Sequence, residues 1–268
     1  MEIHKPKAVH GWGEFLKEVG IIVLGVLIAL SAEQVVEALH WGHKMTELRA
    51  AMREELTTDD GPEAWFRLAA HDCLDRYLDA LQAAAEGGAD RMKLASLAGA
   101  HPGYGPALFT WDMEGWRSLL AADGAAHMPS DELAKWTATY IIIPEMQHYA
   151  QDEREAIGAL QSIRPTTGPM TPAELDDLAR SLQRLRADND WIANYATFYL
   201  SSLQKAGLKA DPRAIAALYR SHGYGLYKKS IDAARLTGCE VTPDLNRLDL
   251  RGMPSMAPGA SGAPAPTR

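Results

Sequence analysis

An all-α fold is predicted, with a single N-terminal transmembrane helix continuing into an extramembrane helical bundle. Three observations carry it. The stretch Val19–Ala32, VGIIVLGVLIALSA, holds no charged residue and is bracketed by Glu18 and Glu33. Helix start and stop signals recur from Pro62 to Gly238. No segment alternates apolar and polar residues over a useful strand length.

The first helix is expected from about Gly11 to Leu56. Its 14-residue apolar run rises about 21 Å against about 30 Å of hydrocarbon. Nine Val, Ile and Leu side chains favour insertion by about 4 kcal/mol in total. A short span, a buried core helix and a cleaved signal, with Ala29 and Ser31 at positions −3 and −1, all pass this length test. An uncleaved span is the expectation. The run is apolar all round, Trp12 and Trp41 flank it where interfacial aromatics sit, and the helical pattern continues unbroken past Glu33. Glu14 and Glu18 also fit poorly in the positive n-region of a signal.

Lys5, Lys7 and Lys17 precede the run, against Lys44 and Arg49 shortly after it. The positive-inside rule then places the N-terminus in the cytoplasm and the bulk of the chain outside. Residues 1–18 form a short cytoplasmic segment, 19–32 the transmembrane core, 33–251 a helical extracytoplasmic domain and 252–268 a tail.

Beyond the run, Ala38, Trp41, Met45, Leu48 and Met52 make a short a/d seam. A second helix is expected from Pro62 to Gly87-Gly88, and a short one over Arg91–Ala98. His101-Pro-Gly-Tyr-Gly-Pro106 reads as a loop. Thr110 is expected to cap a helix carrying Trp111, Trp116, Leu119 and Leu120. Ser130 is expected to cap a long helix kinked at Pro144. Thr171-Pro172-Ala173-Glu174 combines a capping box with Pro at the first helical position, opening a helix that runs to Gly207. On it, Trp191, Tyr195, Phe198 and Ser202 share one face, which reads as core. Asp211-Pro212 opens another helix, closed by Gly223, and a last one ends near Gly238. From Gly252 the Gly, Pro, Ala and Ser content cannot bury a core and reads as disorder.

The segment Gly25-Val-Leu-Ile-Ala-Leu-Ser-Ala-Glu-Gln34, followed by Glu37, His40 and Trp41, resembles a group of uncharacterised single-span bacterial membrane proteins. They share an N-terminal GVLIAL-x-A-E-Q stretch. Trp111, Trp116, Gly124, Pro129, Leu133 and Tyr140 are spaced as in the same group. The resemblance implies an inner-membrane anchor with a helical extracytoplasmic domain. It carries no activity, cofactor or catalytic residue.

Net charge is −8, which argues against nucleic-acid binding. Residues 200–268 run the other way, with ten Lys and Arg against five Asp and Glu, a bias that reads as a solvated surface. Cys73 and Cys239 are the only cysteines. They lie outside any metal-type spacing, and a disulfide between them is open in an oxidising compartment.

Two Glu-x-x-His pairs, Glu37/His40 and Glu145/His148, place both side chains on one helical face. Paired in a bundle with further carboxylates such as Asp72, Glu114 or Asp190, they would suit a dimetal centre. Nine histidines in an acidic chain make two such pairs unexceptional, and solvated side chains are the simpler reading. Walker, nucleophile-elbow and dinucleotide fingerprints are absent from the sequence. Gly25 and Ala29 form a small-x-x-x-small pair inside the run. With Trp41, Met45, Leu48 and Met52 they are the candidate self-association residues. The expected role is a membrane-anchored interaction or assembly module. It meets the lipid bilayer, a second copy of itself or another protein, and it uses no cofactor. A metal-dependent helical-bundle enzyme and a periplasmic ligand-binding or sensory domain are the alternatives.

Overall fold

A computed structural model describes residues 11–98, 110–161, 163 and 165–239. Every regular element among them is helical. α1 (Trp12–Glu54) runs through a π-helical turn, Glu55–Asp59, into α2 (Asp60–Glu86). There follow α3 (Arg91–Ala98), α4 (Glu114–Ala121), a 3-10 turn at Gly124–His127 and α5 (Ser130–Tyr140). α6 (Ile143–Gln161), α7 (Pro172–Lys205), α8 (Pro212–Leu218) and α9 (His222–Ala233) complete the order. The chain divides into two compact units. One is Met1–Met52 with Gly115–Pro129, the other Arg53–Glu114 with Ser130–Arg268, so the division falls inside the segment 33–251.

In the first unit, α1 is 43 residues, about 65 Å long. Its apolar run Val19–Ala32 is exposed at every residue, so within the chain it is not a buried core helix. Packing begins at Trp41, whose ring stacks on His127 with centroids 3.6 Å apart. Met45 and Met52 are buried. Gly115 lies so close to α1 that an added Cβ would sit 3.0 Å from the Met52 Cα, and a side chain there would push backbone from backbone.

In the second unit, α7 packs along both α2 and α6. Its buried stripe is Leu178, Leu182, Leu185, Ile192, Ala196, Tyr199 and Leu203, steps of three, four and seven that keep one face inward. Each of the Leu and Ile side chains among them contributes roughly 1.5–3 kcal/mol by leaving water. The capping box at Thr171 is formed, and the Glu174 carboxylate accepts from the Thr171 N–H at 2.7 Å. Past the end of α7, Gly207 takes a φ of +76°, a conformation that costs a residue with a Cβ but not glycine. Cys73 and Cys239 are joined in a disulfide, with Cα atoms 5.4 Å apart.

The π turn releases backbone groups that an α-helix would pair internally, and they find other partners. Tyr199 OH donates to the Leu56 carbonyl at 3.0 Å, and Asp211 N–H donates to the Thr57 carbonyl at 2.7 Å.

Four expected boundaries move. Thr110 and Trp111 precede α4 rather than opening it. The Asp112 N–H donates to Asp60 Oδ1 at 3.1 Å and the Trp111 carbonyl accepts from Gln147 Nε2. Backbone groups spent on α2 and α6 are lost to a local helix. The helix from Ser130 breaks rather than kinks. It ends at Tyr140, and Pro144 stands in the first turn of α6, where no N–H is required. Gly223 lies inside α9 and does not close α8, which stops at Leu218, and α9 itself stops at Ala233. The expected loop His101–Pro106 and the tail from Gly252 fall outside the described residues.

Candidate functional site

The longest exposed apolar surface is α1. Trp12, Leu16, Ile21, Ile22, Leu24, Ile28, Val36 and Leu39 are each more than half exposed, although water disfavours all of them. This helix is long and apolar enough to cross a membrane.

The residues singled out from sequence separate by unit. Gly25 and Ala29 lie open on α1, and an added Cβ at Gly25 meets nothing within 4 Å. Trp41 and Met52 meet the 115–129 segment: Trp41 takes up His127 and Met52 faces Gly115. Leu48 lies 3.3 Å from the position a Gly124 Cβ would occupy, and Met45 is 3 % exposed. The a/d seam therefore has partners within its own chain. Glu37 and His40 are exposed on α1, and Glu145 and His148 are exposed on α6. Neither pair belongs to a converging group of ligand-type atoms among the described residues.

Convergence occurs elsewhere, between α2 and α7. His71 Nε2 lies 2.9 Å from Asp190 Oδ1 and 3.9 Å from Asp75 Oδ2. One ligand-type atom from each of these three residues lies within 4.8 Å of the others. The other ring nitrogen, Nδ1, lies 2.9 Å from Asp72 Oδ1. Partial burial pulls the His71 pKa down. Hydrogen bonds to Asp72 and Asp190, with the charges of Asp75 and Asp190, outweigh burial and hold it above its ordinary value.

A polar chain ties this surface group to the bundle interior. Asn189, fully buried, donates from Nδ2 to Asp75 Oδ1 at 2.9 Å and to the His71 carbonyl at 3.2 Å. Its Oδ1 accepts from Arg67 Nη2 at 3.3 Å. Arg67 is also buried and grips Glu153 with two bonds of 3.0 and 2.9 Å. Sequence reasoning had Asp72 and Asp190 as spare carboxylates but missed His71 and Asp75. The available signal was the spacing His71-Asp72-x-x-Asp75, which puts positions i and i+4 on one helical face.

A cluster of buried carboxyls adjoins the π turn. Asp60 is fully buried, with Oδ2 unpartnered. Burial raises its pKa to about 8, helped by the charges of Glu55, Asp112 and Asp59 and opposed by the Asp112 N–H. Glu63 Oε2 is likewise buried and unpartnered, and burial with the charges of Asp60, Asp112 and Asp59 raises Glu63 to about 9. Both carboxyls are protonated at neutral pH. Close by, Tyr140 OH donates to Glu55 Oε1 at 2.7 Å.

The aromatic row of α7 does not form core. Trp191 is 46 % and Phe198 48 % exposed, whereas Tyr199 is buried. Tyr149 of α6 stacks on Trp191 at 5.6 Å and on Tyr195 at 5.8 Å, making an outward-facing aromatic ladder. Compared with protein-family models, curated proteins and solved structures, the chain matches none of them.

Proposed function

We propose that this chain is a single-pass bacterial inner-membrane protein whose helical domain faces the periplasm and acts as an interaction or assembly module. The observation that carries the reading is α1, whose apolar run is exposed at every residue within the chain. Lipid is the solvent in which that surface is stable. The Cys73–Cys239 bond supports an oxidising compartment for the domain, since such bonds are rare where thiols are kept reduced. The ladder of Tyr149, Trp191 and Tyr195 supplies the kind of side chains that dominate protein interfaces.

Self-association runs through the bilayer at Gly25 and Ala29, which are open on α1 and let two helices approach closely. Met45 and Met52 are already buried, so substitutions there test folding rather than association.

The test is membrane fractionation with carbonate washing, followed by intact mass. The expected result is a full-length chain retained in the membrane pellet. A soluble chain shortened after Ser31 would overturn the anchor. For self-association, Gly25→Leu with Ala29→Leu should lower the particle mass in detergent by light scattering, and an unchanged mass would remove this contact.

A further inference from the structure

We propose that His71, Asp75 and Asp190 bind one divalent first-row transition-metal cation between α2 and α7, a site that does not depend on the membrane reading above. The geometry comes first. Zinc ligands stand about 2.0–2.2 Å from the metal, so neighbouring donors in a tetrahedral shell lie about 3.4 Å apart. The His71 Nε2 separations of 2.9 Å to Asp190 and 3.9 Å to Asp75 bracket that value. Small rotations about side-chain torsions close the shell.

The histidine is oriented as a ligand would be. Metal-binding imidazoles donate their other ring N–H to a carboxylate or carbonyl, which fixes the tautomer. Asp72 stands at that position, 2.9 Å from Nδ1. One carboxylate ligand is held in place too. The second oxygen of Asp75 accepts from Asn189 at 2.9 Å, and Asn189 is backed by the buried Arg67–Glu153 pair. The ligand is therefore anchored to the bundle core, not to a mobile surface side chain.

Charge points the same way. Asp72, Asp75 and Asp190 surround one imidazole, and three carboxylates gathered on one ring attract a divalent cation. One imidazole nitrogen with two carboxylate oxygens suits Zn2+, Mn2+ or Fe2+ better than soft Cu+. Three protein ligands leave a fourth position for water or a further ligand, and Asp190, 66 % exposed at its side chain, places that position at the surface.

The experiment uses the full-length, tag-free protein in detergent, stripped with a chelator and titrated separately with Zn2+ and Mn2+ by calorimetry. Bound metal is counted after desalting. The expected result is one cation per chain. Asp190→Asn and His71→Ala should each weaken binding at least 10-fold. Asp72→Asn, which leaves all three ligands in place, should weaken it roughly 10- to 100-fold. Glu145→Gln with His148→Ala should leave affinity unchanged. If His71→Ala loses its helical circular dichroism, Asp190→Asn decides, since that exposed carboxylate is not part of the core. No uptake of either metal by the wild type would overturn the proposal. So would wild-type affinity in Asp190→Asn, or loss of the metal in the His148→Ala protein.

Discussion

Between Trp12 and Leu39, α1 carries its large apolar side chains on the outside, while α2, α6 and α7 carry Arg67, Glu153 and Asn189 on the inside. The two regions use the same backbone, but the first turns apolar side chains outward while the second encloses a few charged and polar ones within an apolar core. The first needs a non-polar surrounding. The second must provide every buried charge with a partner of its own, because an unpaired ion in a low-dielectric interior costs several kcal/mol. The contrast shows that burial alone does not identify a core. What matters is whether each group's surroundings match its chemistry.

Reversing the character of α1 should have the largest effect. Leu24→Arg with Leu27→Arg adds about 5–7 kcal/mol of insertion cost, more than the roughly 4 kcal/mol the apolar run supplies. The protein should leave the membrane pellet, read by immunoblot of fractions. Next comes the interior. Glu153→Ala removes the counter-charge of Arg67 and should cost about 3–5 kcal/mol in denaturant unfolding, whereas Arg67→Met with Glu153→Leu should cost less, about 1–3 kcal/mol, for the Asn189 Oδ1 left without its donor. Equal losses in the single and double variants would mean the pair acts through packing rather than charge.

A smaller effect comes from the protonated carboxyls at the π turn. Asp60 and Glu63 have folded-state values of about 8 and about 9, above those of the unfolded chain, so folding takes up protons. Their contribution is fully present below pH about 4 and is lost as pH rises through 8 and 9. Thermal unfolding from pH 6 to 9 should show a falling Tm, and Asp60→Asn should recover roughly 2 kcal/mol at pH 9. A flat profile in the wild type would place these carboxyls in contact with water. The smallest change belongs to an exposed aromatic. Phe198→Ala should shift stability by no more than about 0.5 kcal/mol, while Tyr199→Ala, one residue away, should cost about 3–5 kcal/mol.

That one-residue contrast shows where sequence reading succeeds and where it stops. Helix signals made of neighbouring residues were legible. Thr171-Pro172-Ala173-Glu174 opens α7 as expected, and Arg91–Ala98 is α3 to the residue. The inward face of α7 was not legible. Trp191, Tyr195, Phe198 and Ser202 have the same period as Ile192, Ala196, Tyr199 and Leu203, and the packing of α2 and α6 along α7, remote in sequence, decides which face turns inward. The π turn left no sequence signal, since its carbonyls are satisfied by Tyr199 and Asp211, which are remote in sequence. The His71 group lay half in view. His71, Asp72 and Asp75 sit within one helical turn, but Asp190 reaches them across 119 residues, a distance no local pattern spans.

The Cys73–Cys239 bond, with 166 residues of sequence separation, makes most of the bundle a covalent ring. In the chain-entropy account, closing a loop of that size contributes about 5 kcal/mol. It also changes what a protease does. A cut between α1 and Cys73 leaves the ring tied to the apolar helix by packing alone, through Trp41 on His127 and Met52 on Gly115. A cut anywhere inside the ring severs the backbone without separating the fragments, which stay together until the disulfide is reduced.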